Sequence, residues 1–143
     1  MRRPESVLVI VYTDSAEILL LKRKAPFEFW QSVTGSLESG EAASQAAARE
    51  LAEETGLDST GHLVDTGRVR RFTIDPRWRD RYAVGITVNA EYEWRYRVPE
   101  AQKIRTNPSE HSAWEWLPIG AAIETVWSWT NRQALEKLRD ELL

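Results

Sequence analysis

The sequence predicts an α/β (α+β) domain built on a mixed β-sheet. Two short aliphatic runs open the chain, a helix-forming stretch rich in alanine and glutamate follows them, and an apolar alternation with period two begins at Tyr82. Neither a bundle nor a pure sandwich offers that mixture. The chain has 143 residues, against about 100–150 for a typical domain, so residues 1–143 are expected to form one domain.

Val7-Leu-Val-Ile-Val-Tyr12 and Ile18-Leu-Leu-Leu21 are separated by Thr13-Asp-Ser-Ala-Glu17. That is the pattern of a hairpin with at least one strand buried on both faces. Phe29-Trp-Gln-Ser-Val-Thr34 reads as a third short strand stopped by Gly35. From Ala42 to Thr55 the composition turns to good helix formers, and Gly56 stands where a left-handed residue ends a helix. From Tyr82 to Val98 every second residue is apolar, which predicts strand with one face buried and a bend or bulge near Gly85 or Asn89. Ala113-Trp-Glu-Trp-Leu117 is a further strand closed by Pro118. The terminal stretch from Ser128 carries a capping-box pattern, Thr130-Asn-Arg-Gln133, followed by Ala134, Leu135, Leu138 and Leu142 at helical spacing.

Composition narrows the chemistry. Hydrophobic residues make up 42% and charged residues 29%, close to the usual roughly 45–50% and about 25%, which excludes disordered and collagen-like classes. There is no cysteine, so disulfide scaffolds, zinc ribbons, thiolate nucleophiles and iron–sulfur centres are excluded. With only His62 and His111 as imidazoles, a bound metal is expected to be held by oxygen, which favours Mg²⁺, Mn²⁺ or Ca²⁺. The formal net charge of −3 disfavours nucleic acid and anionic membranes as partners. No apolar run approaches the roughly 20 residues of a membrane helix, and Arg2-Arg3 leads into Pro4-Glu5 with no long apolar segment. A soluble cytoplasmic protein, monomeric or weakly dimeric, is expected.

Three acids of the predicted helix point to a cation. Glu50, Glu53 and Glu54 fall three and four residues apart, so their side chains are neighbours, and like charges at that spacing cost a few tenths of a kcal/mol per pair. Arg49 offsets part of this. A hard dication offsets the rest, and Mg²⁺ normally binds through one or two carboxylates plus waters and substrate phosphates. A glutamate-rich helix is ordinarily a solvated face; the wider register decides against that here. Gly35, five residues, Glu41, seven residues, Arg49-Glu50-Leu51, one residue, Glu53-Glu54, one residue and Gly56-Leu57 form one pattern. At about 5–7% per fixed position it arises by chance on the order of once in a hundred billion start points.

That pattern resembles the Nudix box, and the chain is similar to Nudix hydrolases. The resemblance implies a loop-helix-loop packed on a mixed sheet in an α/β/α sandwich with a C-terminal helix, and hydrolysis of a phosphoric anhydride. It implies metal binding by Glu50, Glu53, Glu54, Glu110 and the Gly35 carbonyl, with Mg²⁺ as cofactor and Mn²⁺ as substitute. It further implies Glu53 as general base, Glu50 beside it, Arg49 as the residue orienting a glutamate, and Glu41 at the loop–helix joint.

Further likeness lies in Phe29 to Gly35, Arg81 to Thr87, Glu110-His111 and Trp127 to Ala134. These segments are similar to the branch of the family acting on 7,8-dihydroneopterin 3′-triphosphate, giving the monophosphate and pyrophosphate in folate biosynthesis. The resemblance then implies substrate contacts at Arg2, Arg23, Thr34, Phe72, Thr73, Ile74, Asp75 and Ser128. The competing readings are a nucleotide-pool hydrolase of dATP or oxidised dNTPs and a non-catalytic nucleotide-binding module. Arg68, Arg70, Arg71, Arg77, Arg79 and Arg81 cluster in a segment read as loop-rich, Trp30, Trp114, Trp116, Trp127 and Trp129 are candidates to stack a flat ring, and His111 is read as structural.

Overall fold

A run of aliphatic residues without alternation must be covered on both sides, and the first strand, β1 (Glu5–Thr13), is central for that reason. The computed structural model describes residues 1–58 and 62–143. Val7, Val9 and Val11 face one layer and Leu8 and Ile10 the other, each no more than 2% exposed. β1 forms the predicted hairpin with β2 (Glu17–Arg23) through Tyr12 and Ile18 and runs parallel to β6 (Val88–Val98) along its whole length. β6 is in turn antiparallel to β5 (Leu63–Thr73). The result is a mixed sheet, as expected.

The run from Phe29 to Thr34 is two strands and not one. β3 (Phe29–Gln31) pairs with β2, and β4 (Val33–Ser36) pairs with β1. Between them Ser32 leaves the ladder, because its backbone N–H donates to Asn131 Oδ1 at 2.8 Å while Asn131 Nδ2 donates to Ser32 Oγ at 3.0 Å. β2 also pairs with β7 (His111–Pro118), which starts at His111, earlier than expected. β1 therefore has β2 beside its C-terminal end and β4 beside its N-terminal half. The fork between them opens a cleft.

One face of the sheet is covered by α1 (Ala43–Thr55). Ala46, Ala47 and Leu51 pack on Val7, Val9 and Leu21, Gln45 Oε1 accepts the Ala42 N–H at 2.8 Å, and Gly56 ends the helix at φ +76°. The other face is covered by α2 (Ile119–Thr125), which the sequence reading missed, and α3 (Trp129–Leu142), through Ala122, Ile123, Ala134, Leu135 and Leu138. Helices on both faces make the α/β/α sandwich. Ser128 caps α3, accepting the Asn131 N–H at 3.2 Å, in place of the predicted Thr130 box; Thr130 is itself buried.

Two further expectations change. The arginine-rich stretch is not loop-rich: Arg68, Arg70 and Arg71 lie on β5, and Arg77, Arg79 and Arg81 on a 3₁₀ turn (Pro76–Arg81). β5 ends the path of the sheet and exposes most of one face, so apolar alternation is faint there. The period-two stretch becomes strand only at Val88, after Gly85 turns the chain at φ +91°. Nor is its polar face solvated. Asn89, Glu91 and Glu93 are 1%, 6% and 1% exposed: Asn89 donates to Ser6, Glu91 meets Thr130 of α3, and arginines enclose Glu93.

Burying Glu93 requires counter-charge. Arg70 Nη1 approaches it at 2.7 Å, Arg68 Nη1 at 3.3 Å and Arg95 Nε at 3.5 Å. Arg70 is itself 8% exposed and also donates to Gln133 on α3 at 2.7 Å, which ties that helix to the sheet edge. Glu91 has less support. Burial pushes its carboxyl up to about 7, against the Thr130 hydrogen bond and the Arg70 charge.

Glu93→Gln should leave Arg70 buried without its counter-charge and lower stability by about 3 kcal/mol, read from urea unfolding. A loss under about 1 kcal/mol would show that the cluster is worth no more than surface pairs. For Glu91 the folded carboxyl titrates above its ordinary 4.5. Its stabilising contribution is therefore complete below about pH 4.5 and is lost as the pH rises through about 7. Glu91→Gln should flatten stability across that window in matched unfolding curves, and parallel curves for the two proteins would refute the assignment.

Candidate active site

α1 carries its acids on the flank beside β4. Residues four apart on a helix stack one above the other, so Glu50 and Glu54 both line a cavity of about 520 Å³ that fills the fork of the sheet. Glu50 lies against the backbone of Gly35: a Cβ there would stand 2.1 Å from Glu50 Cδ and 2.2 Å from Oε1. Only glycine fits. The Thr34 N–H points to Glu54 Oε2 at 3.4 Å, while the Thr34 hydroxyl donates to the Val7 carbonyl at 2.8 Å.

One guanidinium organises these groups. Arg49 Nε and Nη2 donate to the two oxygens of Glu41 at 2.8 and 2.9 Å, and Nη2 also reaches the Ser36 carbonyl at 3.1 Å. Its Nη1 donates to Glu50 at 2.8 Å and Glu53 at 3.2 Å. The fork holds the Glu41 carboxyl down at about 2, and those contacts raise the guanidinium's own pKa. Arg3 closes the same loop from β1's side, donating to the Glu41 carbonyl at 2.9 Å and the Glu38 carbonyl at 3.1 Å.

The acids inside the cavity are unbalanced. Burial pushes Glu50 up, and pushes the nearly inaccessible Glu54 well up with added repulsion from Glu50 and Glu110. Glu54, Glu110 and His111 each bring a ligand atom within 4.8 Å of the others. Burial, with help from the Arg23 charge, pulls His111 down to about 4, so its imidazole is neutral and free to donate a lone pair. Buried carboxylate oxygens that repel one another, beside a backbone carbonyl and one imidazole, are a donor set suited to a hard dication. His111, read as structural, thus lies beside two of the acids, and its position next to Glu110 was the available signal.

Glu53 is placed differently. Its side chain is 57% exposed and turned to the rim, held by Arg49 and outside the cavity's lining. Sharing a helix face with Glu50 and Glu54 was too coarse a criterion, since adjacent residues point about 100° apart.

Arg2, Arg23, Thr34, Phe72, Thr73, Ile74, Asp75 and Ser128 all line this one cavity. Arg23 is largely buried and feels Arg2 and Arg81 as neighbouring positive charges and Glu54 and Glu110 as negative ones, so cations stand directly against the acids. Asp75 caps the 3₁₀ turn and is held at about 2 by Arg77. Ile74 is 2% exposed and supplies wall.

The sequence reading named Trp127 and Trp129 on the far wall and missed Phe29 and Trp78. Phe29, Trp78 and Trp127 line the cavity with ring centroids 5.1 to 5.9 Å apart, backed by Phe27, and the Arg77 guanidinium lies 3.8 Å above the Phe27 ring. Trp129 also lines it, whereas Trp30, Trp114 and Trp116 do not. Gln31, Asn89 and Glu91 complete the polar floor. One cavity thus joins a cation-binding end to a flat, aromatic end.

Comparison with known proteins agrees with this arrangement. The family model described as the NUDIX domain matches residues 2–138. The chain is 42% identical to the dihydroneopterin triphosphate diphosphatase of Escherichia coli K12 over 140 residues, which are 95% of this chain and 92% of that one. It is 38% identical to the Haemophilus influenzae protein of the same name over 137 residues, 93% and 85% of the two chains. The solved E. coli dihydroneopterin triphosphate pyrophosphohydrolase superposes with a TM-score of 0.89, covering 95% of this chain and 94% of that chain. Glutamate helix, forked sheet and shared sequence agree: the chain belongs to the Nudix hydrolase family.

Proposed function

We propose that this Nudix hydrolase cleaves 7,8-dihydroneopterin 3′-triphosphate to dihydroneopterin monophosphate and pyrophosphate with Mg²⁺ as cofactor, in the cytoplasm and as one catalytic unit spanning residues 1–143. The observation that carries the reading is the single cavity, acids at one end and stacked aromatics at the other, in a chain 42% identical to an enzyme named for that substrate. A triphosphate bearing a flat ring matches both ends. Among the described residues no helix is long and apolar enough to cross a membrane.

Glu50, Glu54 and Glu110, with the Gly35 carbonyl and His111 alongside, would hold the ion. When bound, it neutralises phosphate charge and stabilises the charge that develops as water attacks in line. Arg23 and Arg2 meet the remaining phosphate oxygens. Glu53 stands open to solvent one helical turn from Arg49, which donates to its carboxylate at 3.2 Å and orients it to take the proton of the attacking water. Arg49 positions both Glu50 and Glu53 and stays in place through the Glu41 fork.

With Mg²⁺ and a panel of triphosphates, dihydroneopterin triphosphate should give the highest kcat/KM. Equal turnover of dATP would assign the protein to nucleotide-pool hydrolysis instead. Glu53→Gln should lower kcat by about 10²–10⁴-fold, the usual worth of a general base, with little change in Mg²⁺ affinity. Glu54→Gln should instead raise the Mg²⁺ concentration needed for half-maximal activity. An unchanged kcat in Glu53→Gln would remove it as the base. Gly35→Ala should displace the Glu50 carboxylate and cost roughly 10²-fold in turnover while circular dichroism stays native; wild-type activity would show that the close approach is dispensable.

A further inference from the structure

Glutamates on one helix explain a hard cation; they do not explain the imidazole beside them. His111 is 2% exposed, and neither of its ring nitrogens has a hydrogen-bond partner among the described residues. Leaving a buried donor or acceptor unpaired is unfavourable, so a side chain with both of its polar atoms in that state requires a reason. The chain's other imidazole, His62, stands against Tyr96 with ring centroids 6.5 Å apart and takes no part here.

The fold aims this ring at the acids. β2 and β7 pair residue for residue from Glu17 opposite Pro118 to Lys22 opposite Ala113; the register then slips, so that Arg23 faces His111 and Ser112 is the extra residue. Such a bulge re-aims the side chains beyond it. By simple alternation His111 would share the face of Ala113 and Glu115; the slip instead sets it opposite Arg23, on the face where Leu19 and Leu21 pack with α1. Arg23 does not satisfy the ring, since its Nε donates to the Ala25 carbonyl at 3.0 Å. The His111 N–H donates to the Asn107 carbonyl and the Lys24 N–H to the Glu110 carbonyl, each at 3.0 Å, which fixes the turn carrying both residues. Glu54 reaches in from α1, and one ring nitrogen of His111 lies within 4.8 Å of an oxygen of Glu54 and of Glu110. Donors about 2.0–2.2 Å from one ion stand up to about 4.4 Å apart, so little movement lets the three share one.

We propose that His111 is a nitrogen ligand of the ion held by Glu54 and Glu110, and that it makes the site prefer a first-row transition dication to Mg²⁺, Co²⁺ more than Mn²⁺. This rests on the metal-dependent reading above and deepens it by naming the ion the donor set selects. Carboxylate, carbonyl and water oxygens suit Mg²⁺, whereas imidazole favours transition dications, with Co²⁺ above Mn²⁺ in the general order of affinity. Exchanging one oxygen for a ring nitrogen therefore strengthens Co²⁺ far more than Mg²⁺. The same bond gives the buried ring a partner that the protein does not supply, while the ion offsets the like charges of Glu54 and Glu110.

The test reads the ion and not turnover. Mn²⁺ added to the metal-free wild type should show electron spin-echo modulation from a directly bound nitrogen, and the modulation should change to the ¹⁵N pattern in protein labelled only with ¹⁵N-histidine. Calorimetric titration should give Co²⁺ a Kd at least about tenfold below that of Mg²⁺. His111→Leu should weaken Co²⁺ by at least about tenfold and Mg²⁺ by less than about threefold, and should abolish the nitrogen modulation. Absence of histidine modulation in wild type, or equal losses of both ions in His111→Leu, overturns the proposal. So does Mn²⁺ binding with unchanged affinity and modulation in Glu54→Gln, which would place the ion elsewhere. Should His111→Leu fail to fold, the labelled wild type decides alone. Hydrolysis of dihydroneopterin triphosphate with Mg²⁺ but without histidine coupling leaves the function standing and removes this inference; histidine coupling without cleavage of any triphosphate does the reverse.

Discussion

A single guanidinium sets the geometry on which the site depends. Arg49 is the meeting point of Glu41, Glu50, Glu53 and the Ser36 carbonyl, so it joins the loop before α1, the helix itself and the end of β4. Charge-assisted, two-pronged hydrogen bonds hold direction as well as distance. Without that anchor, adjacent carboxylates would swing apart toward solvent, where their repulsion is screened. Held, they stay close enough to want a dication. Glycine at position 35 is the other half of the constraint, since it lets the Glu50 carboxylate lie against the chain.

The sheet supplies the room. Because β1 exchanges β4 for β2 part-way along its outer edge, the two outer strands diverge, and the cleft between them reaches from the glutamates of α1 to the N-terminal turn of α3. The same break at Ser32 that splits β3 from β4 is clamped by Asn131. Strand fork and helix cap are therefore one device. It holds the phosphate end and the ring end at fixed separation, which is what cleavage of an extended, ring-bearing triphosphate requires.

The polar face of β6 shows how charge is tolerated in that interior. Glu93 is surrounded by arginines, whereas Glu91, two residues away on the same face, has only the Thr130 hydrogen bond and the Arg70 charge beside it, and one of its oxygens has no partner. The contrast separates a carboxylate paired with several cations from one that burial holds mostly by itself. Both look identical in the alternating sequence.

What the residues alone determined was whatever local physics governs. Helix formers ended by Gly56, carboxylates at three- and four-residue spacing, aliphatic runs too apolar for an exposed strand and the Gly35-to-Leu57 register were all legible, and the cavity collects every substrate contact the resemblance implied. What tertiary structure decided was everything that depends on a distant neighbour. β5 was illegible because an edge strand rich in arginine carries little alternation, and its arginines make sense only beside Glu93. The burial of Glu91 beside Thr130 of α3, the approach of His111 to Glu54 and the rim position of Glu53 each depend on such neighbours. Sequence spacing fixes which side chains leave a helix or strand together; which of them meet water, and which meet one another, is set by the layer that covers them.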